Sequence, residues 1–128
     1  MATTKKPANP VTPSAREAFV LYLGHWQEKL GLSDWRVHVN PKPASKANAA
    51  DVRMHYEARL ASVCIGRDFG SEVVDDKSIE AYAVHELGHV LLTELLELAK
   101  DPNTAADVLT SAEHRVINAY TYALLGRN

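Results

Sequence analysis

Two histidines four residues apart, with a glutamate directly after the first, are the residues of this chain best placed to do chemistry: His85-Glu86-Leu87-Gly88-His89. On a helix, positions four apart project from one face, so His85 and His89 can grip a single metal ion. Glu86 then sits beside the site without pointing straight at the metal. That is where a general base for a metal-activated water is needed. Two neutral imidazoles, a carboxylate and an open position suit catalytic zinc. The chain holds six His and nine Glu in 128 residues, and at that composition a chance match somewhere has odds of about 2%. The competing explanation is a buried helix with two satisfied histidines. It is disfavoured because the motif falls in the one long apolar stretch whose pattern is helical, Ala81–Leu92. Gly88 inside that helix costs about 1 kcal/mol relative to Ala, and is expected to mark close approach of another backbone.

Catalytic zinc normally takes three protein ligands. Glu94 and Glu97 continue up the same helix and rise away from the metal by about 1.5 Å per residue. Leu92 and Leu95 stand where an extended His-Glu-x-x-His-x-x-Gly-x-x-His motif needs Gly and His, which excludes that class. The third ligand is therefore expected from another element. Glu113, on a separate helix able to pack antiparallel to the first, is the choice; its alternative role is a capping-box partner of Thr110. His114, about 100° round that helix, is second choice. Cys64 offers a different ligand set, that of a deformylase-like amide hydrolase. Its surroundings, Ser62-Val63-Cys64-Ile65-Gly66, lack the Glu-Gly-Cys-x-Ser of those enzymes. A small buried strand residue is the better reading.

The elements that must position these residues read as one α+β domain over 14–128, behind a flexible, proline-bearing tail at 1–13. A first helix is expected from Ser14, capped with Glu17, through Phe19, Tyr22, Leu23, Trp26 and Leu30, ending at Gly31. Trp35–Val39, Val52–Tyr56 and Leu60–Gly66 alternate as strands, the last two close enough to form an antiparallel hairpin. The expectation is a small, three-stranded, largely antiparallel sheet. His25, His38 and His55 read as surface residues rather than ligands. The motif helix should be capped by Asp76 or Ser78 and run to Lys100, before Pro102. A last helix, Thr104–Leu125, has an expected buried stripe of Ala106, Leu109, Glu113, Val116 with Ile117, Tyr120 and Leu124. A carboxylate inside such a stripe is costly unless it is paired, protonated or bound to metal.

Net charge is −2, which favours neither nucleic acid nor an anionic membrane as partner. No apolar run reaches membrane-spanning length, no signal-peptide pattern is visible, and the lone Cys64 has no disulfide partner within the chain. A cytoplasmic protein is expected.

The order of an amphipathic helix ending Gly31-Leu32-Ser33-Asp34-Trp35, a hairpin sheet, Val84-His85-Glu86-Leu87-Gly88-His89 and Glu113-His114-Arg115-Val116-Ile117-Asn118 resembles the small zincin-like metallopeptidases encoded by phages and prophages. These are a minimal form of the gluzincin arrangement. The resemblance covers roughly residues 14–125, and its specific part is the His-Glu-x-x-His stretch. It implies zinc at His85, His89 and Glu113, with Glu86 as base, and suggests a phage origin, hence the cytoplasm of a host cell; the protein or peptide substrate expected here follows from the peptidase chemistry, not from the resemblance. Thermolysin-type gluzincins carry Asp four residues after the ligand Glu; here that position is Ile117. A partner orienting a ligand His must come from elsewhere, with Asn118 a weak candidate.

The leading expectation is zinc-dependent peptide-bond hydrolysis. Tyr120, two turns beyond Glu113, is the candidate oxyanion donor, and Tyr82 a second. Leu60–Ile65, preceding the motif helix, is the expected edge strand for an extended substrate. The alternatives are a catalytically silent zinc-containing protein-binding module and the deformylase-like hydrolase.

Overall fold

The computed structural model describes residues 9–44, 49–70 and 74–126. Three helices and three strands follow one another as α1 (Pro13–Lys29), β1 (Arg36–Val39), β2 (Ala50–His55), β3 (Leu60–Ile65), α2 (Asp76–Lys100) and α3 (Ala106–Leu125). The architecture is α+β, as expected.

The cap of α1 lies two residues before the expected one. Thr12, not Ser14, is the N-cap, its hydroxyl accepting from the Ala15 amide at 3.1 Å, and Pro13 occupies the first helical position. Proline is pre-set for that place and lacks only an amide that would have no partner there. The helix ends as expected at Gly31, which takes φ +68°. The Leu32 amide returns to the Gln27 carbonyl at 2.9 Å, and the Gly31 amide to Glu28 at 3.1 Å, closing the last turn in a left-handed cap. Residues 9–12 do not hang free. Val11 donates to the Arg67 carbonyl, Phe69 donates to the Asn9 carbonyl, and Pro10 bridges Asp68. The rest of the expected tail, residues 1–8, lies outside the described residues.

The sheet has the order β1-β3-β2. β2 and β3 form the expected hairpin, antiparallel from Ala50↔Ile65 to His55↔Leu60. β1 pairs with β3 in parallel, Arg36↔Leu60 to Val39↔Val63. The sheet is thus mixed rather than largely antiparallel, and β3 is its centre. The physical reason is burial. Ala61, Val63 and Ile65 are fully inside, and the central strand is the one that loses most water-exposed surface. The turn Tyr56–Arg59 ends with Arg59 at φ +51°. Its guanidinium lies between the rings of Tyr56 and Trp35, 5.4 and 5.6 Å from their centroids, and pairs with Asp34 at 3.2 Å. These contacts hold a non-glycine residue in a conformation it otherwise avoids.

The core lies between the sheet, α1 and α2: Phe19 and Leu23, Trp35, Val63 and Ile65, and Ile79, Ala83, Leu87 and Val90. α1 and α2 are also tied by polar bonds, Trp26 Nε1 donating to Glu80 at 2.8 Å and the Tyr22 hydroxyl donating to Asp76. That bond pushes the Tyr22 phenol up to about 12. α3 closes the other flank of α2. Only Ala112 of its twenty residues is fully buried. No helix among the described residues is long and apolar enough to cross a membrane.

Candidate metal centre

α2 carries the centre. Its N-cap is Asp75, one residue ahead of the expected Asp76, and Ser78 reciprocates: the Ser78 amide donates to Asp75 Oδ1 at 2.9 Å and the Asp75 amide to Ser78 Oγ at 3.3 Å. The Ser78 amide, and after it the Ser78 hydroxyl donating to the same Oδ1 at 3.0 Å, hold the Asp75 carboxyl below its usual range. From this fixed start the helix runs unbroken to Lys100. The i, i+3, i+4 rows then sort by environment. Ala83, Leu87 and Val90 enter the core, Glu86 and Thr93 are buried beside them, and His85, His89, Leu92 and Leu96 face outward.

His85 and His89 come together as their spacing requires, ring centroids 5.0 Å apart and planes at 79°. Both are exposed, so they are not satisfied core histidines. Glu86 is only 5% exposed. Burial pushes its carboxyl up; the neighbouring His85 and His89 pull it back by less, and Asp51 on β2 adds to the rise. No side-chain oxygen or nitrogen of the described residues is both sealed from solvent and without a hydrogen-bond partner. The Glu86 carboxylate makes no hydrogen bond there, so its tip still reaches water. Gly88 does not mark close approach of a backbone. A Cβ built there meets nothing within 4 Å, so that expectation is corrected.

α2 runs alongside β2 in the same direction. Asp51 is within electrostatic reach of Glu86, and Met54 Sδ accepts from the Thr93 hydroxyl at 2.7 Å. Three strand residues advance about 10 Å, and seven helix residues about 10.5 Å, so the two elements keep step. The outer edge of β2 therefore borders the histidine face. The expected edge strand, Leu60–Ile65, is flanked on both sides and cannot accept another strand; the edge strands among the described residues are β1 and β2, and β2 is the one beside the histidine helix.

The structure does not gather the remaining candidates at the histidines. α3 begins at Ala106 rather than Thr104, whose hydroxyl instead donates to the Leu98 carbonyl at 2.7 Å. Thr110 lies inside the helix and bonds back to Ala106, so Glu113 is not its capping partner. The inward row of α3 is Leu109, Ala112, Val116, Ala119 and Ala123. Glu113, Ile117, Tyr120 and Leu124, expected in the stripe, are exposed, as is Ala106. The Arg115–Glu94 ion pair at 2.9 Å and the Thr104–Leu98 contact show α3 running back along α2. They put Glu113 beside the turns that follow His89 rather than beside His89 itself. Among the described residues no group of three His, Cys, Asp or Glu is arranged to hold a metal ion. The donor pair His85 and His89 fits a metal; among the described residues a third protein donor does not stand with it.

Cys64 lies on the sheet face opposite the buried row Ala61, Val63 and Ile65 that α2 covers. Burial, and then the cross-strand partner Asp51, push its thiol up, the reverse of what a metal-binding thiolate needs. His25, His38, His55 and His114 are exposed, as expected for the first three. Tyr82 stacks on Phe69, centroids 5.8 Å apart. Sequence reasoning missed Asp51, which influences both Glu86 and Cys64; its signal was only a carboxylate opening an apolar strand. No protein-family model, curated protein or solved structure matches this chain.

Proposed function

We propose that this chain is a zinc-dependent peptidase of zincin-like type, with His85 and His89 as metal ligands, Glu86 as general base, and Glu113 as the third ligand once α3 shifts to carry it from the turns after His89 to the histidines. The observation that carries the reading is the division of labour on one helix. Two exposed imidazoles share a face while the carboxylate between them is buried with a raised pKa and an open tip. A satisfied structural pair would be buried and hydrogen-bonded.

When bound, zinc supplies acidification of a water molecule and polarisation of the scissile carbonyl. The chain's own residues do the rest. Glu86, raised towards the working pH, accepts a proton at its carboxylate and hands it to the leaving amide nitrogen. Burial restricts the side chain to one approach, and Leu87 and Val90 fix the helix beneath it. The outer edge of β2, which pairs with no strand among the described residues, can hold an extended peptide by strand pairing, passing along the histidine face. Tyr120, exposed and two turns beyond Glu113, remains our candidate oxyanion donor from α3. The substrate is a peptide or unfolded protein segment, because strand pairing requires an extended backbone.

The test is cleavage of a peptide library by zinc-loaded protein, read by mass spectrometry. Discrete cut sites, abolished by chelation and in Glu86→Gln, are expected. Stable peptide binding without any cut would instead identify a binding module.

A further inference from the structure

Beyond His89, the histidine face of α2 continues into a groove. It has a volume of about 870 Å³, and its walls are Met54–Ala58 from the end of β2 and its turn, and Thr93, Leu96, Glu97, Ala99 and Lys100 from α2. The Thr93 hydroxyl ties the two walls together, donating to the His89 carbonyl at 2.8 Å and to Met54 Sδ. The groove thus begins one turn beyond His89 on the same helix, bordering the histidine pair without including it.

Its chemistry is unequal. Its apolar lining comes from half-buried Met54 and from exposed Leu96, Ala58 and Ala99. The rim carries Glu57, Glu97 and Lys100. Lys100 is engaged with Glu97 at 2.9 Å, while Glu57 is exposed and makes no ion pair among the described residues. Formal charge at the rim is thus net negative, with Glu57 as the uncompensated group. An apolar trough ending in a carboxylate complements a side chain with a long alkyl stem and a cationic head.

We propose that this groove is a specificity subsite for a lysine or arginine of the substrate, selected by Glu57. The proposal rests on the peptidase reading. Leu96 lies seven residues past His89, about 10.5 Å along the helix. An extended peptide covers that in about three residues at 3.3 Å each. The basic residue therefore falls about two to four positions from the scissile bond, on one side only. An exposed ion pair gives a modest preference, about five-fold over a neutral residue.

The experiment profiles cut sites in a proteome-derived peptide library with zinc-loaded wild type and Glu57→Lys. Fluorescence anisotropy of labelled Lys-, norleucine- and Glu-containing peptides, on both proteins, is the second readout. Lys and Arg enriched two to four residues from the cut in wild type, and Asp and Glu in the variant, is the expected result. Cut sites without charge preference, or a preference unchanged in the variant, overturn the subsite and leave the peptidase standing. Absence of any cut by the wild type removes the peptidase. The anisotropy then decides the groove: Glu57-dependent preference for the lysine peptide supports it, and equal binding of the three peptides overturns it.

Discussion

The imidazoles of His85 and His89 stand 5.0 Å apart at 79° on the outward face of α2, one helical turn between them. Nothing in the core requires two histidines there. Replacing either with Ala should leave the fold intact, since exposed positions away from packing rarely matter to stability. Zinc retained after gel filtration, read by metal analysis, should fall by more than about 100-fold in affinity for either variant. Glu113→Ala should weaken it by at least about 10-fold. Undiminished zinc in Glu113→Ala would remove α3 from the ligand set while leaving the histidines.

Glu86→Gln should have two opposite effects. Turnover should vanish, because the amide cannot accept the proton. Stability of the metal-free protein should rise at neutral pH. The sign follows from the raised carboxyl: the protonated form is the one the fold prefers, so stability is lost as pH climbs through the ordinary value near 4.5 towards the folded one. A neutral isostere escapes that loss. Thermal melting at pH 7 should increase by roughly 4 °C, about 1 kcal/mol; a lower melting temperature would mean the carboxylate is stabilised by a partner.

Gly88→Ala should stabilise α2 by about 0.5–1 kcal/mol, since alanine is the better helix former and its methyl group meets no neighbour within 4 Å. Urea titration of the metal-free protein reads this directly. A destabilised variant would show that the space beside Gly88 is filled in solution.

The Asp75–Ser78 box makes a distinct acid prediction. The Asp75 carboxyl is held below its ordinary 3.8, so its contribution is present above that pH and disappears as the pH falls through the lower folded value. Wild type should lose melting temperature on acidification below pH 4 more steeply than Asp75→Asn, which keeps the cap without the charge. Parallel pH profiles for the two proteins would contradict it.

The sequence made α2 legible almost to the residue, because a long apolar helix with a motif, a capping pair and a following proline leaves little freedom. The hairpin was equally plain from alternation and proximity. The place of β1 was not, because a parallel partner some two dozen residues away leaves no local signature. That pairing puts β3 in the middle and leaves β1 and β2 at the two edges. On α3 the eye is drawn to bulky residues, so Ile117, Tyr120 and Leu124 looked buried. The packing instead uses Ala112, Ala119 and Ala123, because small side chains let helices approach closely and large ones can be left at the surface. With that one-position rotation, Glu113 moves from the core to solvent. Asp51 was invisible as a contributor because its influence on Glu86 crosses from strand to helix.

The sparse seating of α3 has a thermodynamic meaning. A helix with one fully buried residue opens at far lower free energy than α2, so its backbone amides should exchange with solvent as a separate unit while the α1–α2–sheet body stays closed. The proposed third ligand rides on that unit. Zinc binding and a shift of α3 that brings Glu113 to the histidines are then one linked equilibrium: whatever favours the shifted helix tightens the metal, and the metal in turn holds the helix there.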